Sequence, residues 1–71
     1  MNLIFTVHAK QRILERNIKI EDVENAIYFP DYTISKNGII ESYKKIDNKN
    51  LKIIYLEEGK FIKVITVIDK L

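Results

Sequence analysis

The chain has no cysteine and no tryptophan, and only one histidine, one proline and two glycines among its 71 residues. Without cysteine there is no disulfide staple, no thiolate zinc site and no cysteine nucleophile. The glycines, Gly38 and Gly59, stand singly in turn-like surroundings, so no glycine-rich phosphate loop exists. One histidine without cysteines or clustered strand carboxylates makes no recognisable metal-ligand set, so neither a metal nor a cofactor is expected. Ser35 and Ser42 have no histidine near them in sequence, which argues against a serine triad in so small a chain. No apolar run approaches the roughly 20 residues that cross a bilayer. The opening Met-Asn-Leu-Ile-Phe-Thr carries neither a basic segment nor a long apolar stretch. The expectation is therefore no signal peptide, no membrane and a cytoplasmic location. Net charge is +2, too small to indicate nucleic-acid binding by itself.

What is present reads as one globular domain over residues 1–71. Hydrophobic residues make up 46% and charged residues 31%, proportions of a folded chain rather than a disordered one. At this length the total stability to expect is roughly 4–10 kcal/mol.

The pattern changes near Pro30, from a helical period to a strand period. Leu3-Ile4-Phe5 is a short apolar opening of edge-strand character, and Thr6 is a good helix N-cap. A helix is predicted over Val7 to Arg16, closed by Asn17, which tolerates a left-handed backbone. Ile18 and Ile20 lead into a second helix, Glu21 to Tyr28. Its first turn is acidic, and Val23, Ala26 and Ile27 share one face. Pro30 stops it at or before Phe29. Four strands follow: Tyr32 to Ser35, Ile39 to Ile46, Leu51 to Leu56 and Phe61 to Ile68, joined by short polar turns. Three short connections in succession require antiparallel pairing. The fold class is α+β, two N-terminal helices packed on a four-stranded antiparallel meander. In the last strand, alternation groups Ile62, Val64, Thr66 and Ile68 on one face and Phe61, Lys63, Ile65 and Val67 on the other. Both faces are mostly apolar. One holds the helices, and the other is either curled over a small core or pressed against another chain.

The residues that carry chemistry lie on the first helix. His8, Arg12 and Arg16 recur at i, i+4 and i+8, which places them within about 80° of one another in a single stripe. Imidazole exchanges protons near neutral pH, and guanidinium holds phosphate oxygens through paired hydrogen bonds, so the trio suits phosphodiester chemistry. The same arginines could equally serve as bracing, paired with Glu15 or Asp22. Tyr43-Lys44-Lys45 joins an aromatic to two cations, as nucleic-acid surfaces do, or is a solvated strand. Tyr32, Tyr43 and Tyr55 are candidates for cross-strand aromatic packing. Thr66, a hydroxyl in an apolar strand, is either a β-former or a polar group aimed at a site.

The run His8-Ala9-x-x-Arg12-Ile13-x-Glu15-Arg16-x-Ile18, then Asp22-Val23, Ala26-Ile27, Pro30 and the late Val64-Ile65-Thr66-Val67, resembles the signature of the domain of unknown function 4258 family. The chain departs from that pattern at Asn17, where glycine is usual, and at Lys19, where a serine-like cap is common. The resemblance implies kinship with RelE- and BrnT-type toxins, small proteins with two N-terminal helices on an antiparallel sheet. Several of these are metal-independent endoribonucleases held in check by an antitoxin. His8, Arg12 and Arg16 match the family's polar motif, and Thr66 matches its last-strand hydroxyl. On the endoribonuclease reading His8 is the general base or acid, Arg12 and Arg16 stabilise the charge developing on phosphorus, and Thr66 binds substrate. Lys44 or Lys45 would hold the RNA backbone. The alternative is a non-catalytic protein-protein or RNA-binding module, acting as a homodimer through the sheet or with a partner such as an antitoxin.

Overall fold

Thr6 decides how the N-terminal half meets the sheet. In the computed structural model, which describes residues 2–70, β1 (Asn2–Phe5) ends at Thr6 and α1 (Val7–Glu15) begins there. The extended Thr6 accepts a hydrogen bond from the Ala9 amide on Oγ1 at 3.0 Å, capping the helix. Its hydroxyl also donates to the Ile65 carbonyl at 2.8 Å, and its amide donates to the Val64 carbonyl at 3.1 Å. One residue thus caps α1 and ties it to the last strand. Thr6→Ala is expected to lower stability by about 1–2 kcal/mol in a urea titration, with an unchanged m-value.

Helix α1 closes as predicted. Asn17 adopts φ 52°, its amide reaches the Leu14 carbonyl at 3.3 Å, and the Ile18 amide reaches the Ile13 carbonyl at 2.9 Å. This paired closure is accompanied by burial of both Ile13 and Ile18, the apolar contact such endings carry. Helix α2 (Ile20–Tyr28) starts at Lys19 with no side-chain cap, and Glu21 and Asp22 in its first turn complement the helix dipole instead. It buries Val23, Ala26 and Ile27.

The sheet comprises β1, β2 (Tyr32–Lys36), β3 (Ile39–Ile46), β4 (Lys49–Glu58) and β5 (Phe61–Asp69), ordered β1-β5-β4-β3-β2. The predicted meander is present as β2 to β5, all antiparallel. Asn37 and Gly38, both with positive φ, form the two-residue turn that such hairpins favour. The Asp47–Asn50 turn is tighter than expected: Asp47 takes φ 54° and Lys49 already pairs with Ile46, so β4 begins two residues earlier. The sheet has a fifth strand, because the Leu3-Phe5 segment joins β5 in parallel, with Phe5 opposite Val64.

One alternation is corrected. Ile54 pairs with Thr66 while Tyr55 pairs with Val64, so Ile65 is an extra residue that shifts the register. Such a bulge exchanges the faces beyond it. Val67, not Thr66, therefore joins Ile62 and Val64 in the core, beside Leu51, Ile53 and Tyr55. The helices cover this face. Ser42 of β3 is fully buried beneath α2 and donates to the Ala26 carbonyl. On the opposite face Ile54, Leu56, Ile65 and Ile68 are half-buried and Ile34 and Phe61 exposed. No helix of the described residues is long and apolar enough to cross a membrane.

Candidate functional site

Strand β1 stops at Phe5, so it pairs with β5 only as far as Val64. Beyond that point no strand of the described residues lies beside the outer edge of β5, and α1, tethered through Thr6, lies there instead. Between helix and strand edge is an open cleft of about 340 Å³, lined by His8, Arg12 and Arg16 on one wall and Thr66 to Asp69 on the other. The stripe read from helical spacing and Thr66 of the last strand thus line one cleft, although they come from opposite ends of the sequence.

The three basic tips are largely unengaged. Among the described residues neither His8 nor Arg16 makes a side-chain hydrogen bond or an ion pair, and both are exposed. Arg12 Nη1 lies 3.4 Å from Glu15 Oε1, with the side chains 43% and 61% exposed. A pair that open to water is worth at most about 0.5 kcal/mol and gives way readily to a phosphate. Asp22, the other candidate brace, pairs with neither arginine. Asp69, which sequence reasoning missed, also lines the cleft, and its Oδ1 accepts the Asn50 amide at 3.3 Å. Its only signal in the sequence is a carboxylate directly after the apolar run of β5.

Lys44 and Lys45 stand apart from this group, in a second open cleft of about 340 Å³ lined with Asp31, Tyr32, Tyr43, Asn50, Leu51 and Lys70. As neighbours on a strand they point to opposite faces. Lys44 turns toward the helices, where Nζ donates to the Phe29 carbonyl at 2.7 Å and lies 3.9 Å from Asp31 Oδ1. It braces the end of α2. Lys45 belongs to the open face, and its amide donates to Asp31 Oδ2 at 2.9 Å. Tyr32 and Tyr43 do meet across strands, with ring centroids 4.5 Å apart and planes 11° from parallel. Tyr55 does not join them, because it is buried on the helix side. Lys52 Nζ is 5.5 Å and Lys70 Nζ 5.8 Å from the Tyr43 ring centre. A hydrogen bond with Tyr43 and the nearby Glu41 carboxylate hold the Lys52 ammonium above its ordinary range, outweighing desolvation.

Among the described residues no group of three or more His, Cys, Asp or Glu side chains is placed to hold a metal ion. No curated protein and no solved structure matches the chain. A family model does match, over residues 5–69, a span that includes both walls of the His8 cleft. The chain belongs to the family described as the domain of unknown function DUF4258.

Proposed function

We propose that the chain is a metal-independent endoribonuclease of the RelE and BrnT toxin type, acting in the α1–β5 cleft. The observation that carries this reading is the gathering of His8, Arg12, Arg16 and Thr66 on one accessible cleft. In the proposed reaction, imidazole of His8 takes the proton from a ribose 2′-hydroxyl, and O2′ forms a bond to the adjacent phosphorus. The P–O5′ bond breaks, and the leaving O5′ takes a proton from solvent. The products are a 2′,3′-cyclic phosphate and a 5′-hydroxyl, and the imidazolium returns its proton to water. Arg12 and Arg16 hold the non-bridging oxygens as their charge grows. Purified protein incubated with single-stranded RNA in EDTA tests the reading. Cyclic-phosphate ends are expected, and intact RNA with and without ribosomes would overturn it.

The Asp69 carboxylate shares the cleft and repels a bound phosphate. Asp69→Asn, which keeps the oxygen that accepts the Asn50 amide, is expected to tighten binding of a non-cleavable RNA roughly 2- to 5-fold at low salt. Fluorescence anisotropy measures it. Unchanged or weaker binding would place the phosphate elsewhere.

A second reading, a non-catalytic module pairing with itself or with an antitoxin-like protein, draws on the exposed apolar residues of the open sheet face, Ile34 at 48% and Phe61 at 43%. A clean monomer in sedimentation at high concentration would remove the homodimer form of it.

A further inference from the structure

The open face of the sheet carries a layered cluster whose order follows from strand pairing. Ile68, Lys52, Tyr43 and Tyr32 stand opposite one another across β5, β4, β3 and β2, forming one row. In that row the Tyr43 ring is stacked on Tyr32, and the ammonium groups of Lys52 and Lys70 lie near it. Tyr32 is on β2, the edge strand of the sheet among the described residues, and it is 57% exposed. Its outward ring face is open.

The charge around this stack is uneven. Lys52 lies 3.7 Å from Glu41, and Lys44 is held by Phe29 and Asp31. The side chains of Lys45 and Lys70 have no ion pair among the described residues, and both line the cleft beside the tyrosines. Asp31, the carboxylate in that cleft, is engaged by the Lys45 amide and approached by Lys44. An aromatic stack with an open outer ring and two cations outside any ion pair among the described residues suits a nucleobase with its flanking phosphates, since every base offers a π-face and every linkage a negative charge.

We infer that Tyr32 and Tyr43, with Lys45 and Lys70, form a stacking platform for one base of a single-stranded RNA and the phosphates beside it. The identity of the ligand rests on the reading of the α1–β5 cleft as a phosphodiester site. The two sites are continuous along the chain: Asp69 lines the first cleft and Lys70, the next residue, lines the second. An RNA strand rounding the C-terminal end of β5 passes from one to the other. The platform grips the strand whatever its sequence, because stacking is nearly indifferent to base identity.

The test uses the whole protein and a fluorescein-labelled 2′-O-methyl RNA of about ten nucleotides, a length within the usual range of single-strand sites. This RNA lacks the attacking hydroxyl. Tyr32→Ala is expected to weaken binding roughly 5- to 100-fold, and Tyr32→Phe, which keeps the ring, to stay near wild type. Lys45→Ala should weaken binding and flatten its dependence on salt. A thermal melt of each variant checks that the fold is kept. If Tyr32→Ala binds like wild type while unmodified RNA is still cleaved, the platform is overturned and the cleft reading stands. If binding depends on Tyr32 but RNA is never cleaved, the platform stands and the nuclease reading fails. No binding by wild type overturns the platform.

Discussion

His8→Ala is expected to cleave RNA roughly 100- to 10,000-fold more slowly than wild type, the range associated with losing a positioned acid or base. The variant separates chemistry from folding with unusual clarity. His8 is exposed and makes no side-chain hydrogen bond or ion pair among the described residues, so its removal should change stability by no more than about 0.5 kcal/mol. A gel assay of cyclic-phosphate products alongside a thermal melt reads both quantities. Full activity in His8→Ala would remove imidazole from the reaction, whatever else the cleft does. Binding of non-cleavable RNA by this variant should stay near wild type, because the two guanidiniums, not the imidazole, are assigned to the phosphate.

The largest effect on the fold is expected at Ile53. It is fully buried on β4, the middle strand of five, and packs in the core between the helices and the sheet. Truncating such a side chain to alanine removes its transfer free energy and leaves a cavity, together about 2–5 kcal/mol. Against a total of roughly 4–10 kcal/mol for a chain of this size, that is a large fraction of the margin. Ile53→Ala should lower the melting temperature by roughly 10–25 °C. A fall of only a few degrees would mean that the core is not packed around β4. The equivalent change at exposed Leu14, 82% accessible on α1, should be nearly silent.

The legible parts of this fold are those written in local chemistry. Thr6 and Asn17 mark the limits of α1 because a hydroxyl cap and a left-handed asparagine act within one helical turn. Asn37-Gly38 marks its hairpin for the same reason. The bulge at Ile65 left no such mark. Val64, Ile65, Thr66, Val67 and Ile68 are all β-branched, so alternation in this run cannot reveal which residue is skipped. Burial of Val67 in place of Thr66 was invisible for that reason.

The candidate site divides along the same line. Helical spacing alone brought His8, Arg12 and Arg16 into one stripe. That the stripe faces the strand carrying Thr66 depends on β1 ending at Phe5, a pairing between opposite ends of the chain that no local pattern encodes. Lys44 and Lys45, adjacent on β3, point to opposite faces and line a cleft separate from the stripe, a separation set by strand pairing rather than by spacing. Asp69 was overlooked because a single carboxylate at a strand end looks like ordinary surface.

The most direct test of the cleft is a two-dimensional NMR titration of backbone and side-chain signals with the non-cleavable RNA and, separately, with inorganic phosphate. The expected result is saturable movement of the His8, Arg12, Arg16 and Thr66 resonances with both ligands. Movement confined to other residues, or none at all, would contradict a phosphodiester site between α1 and β5.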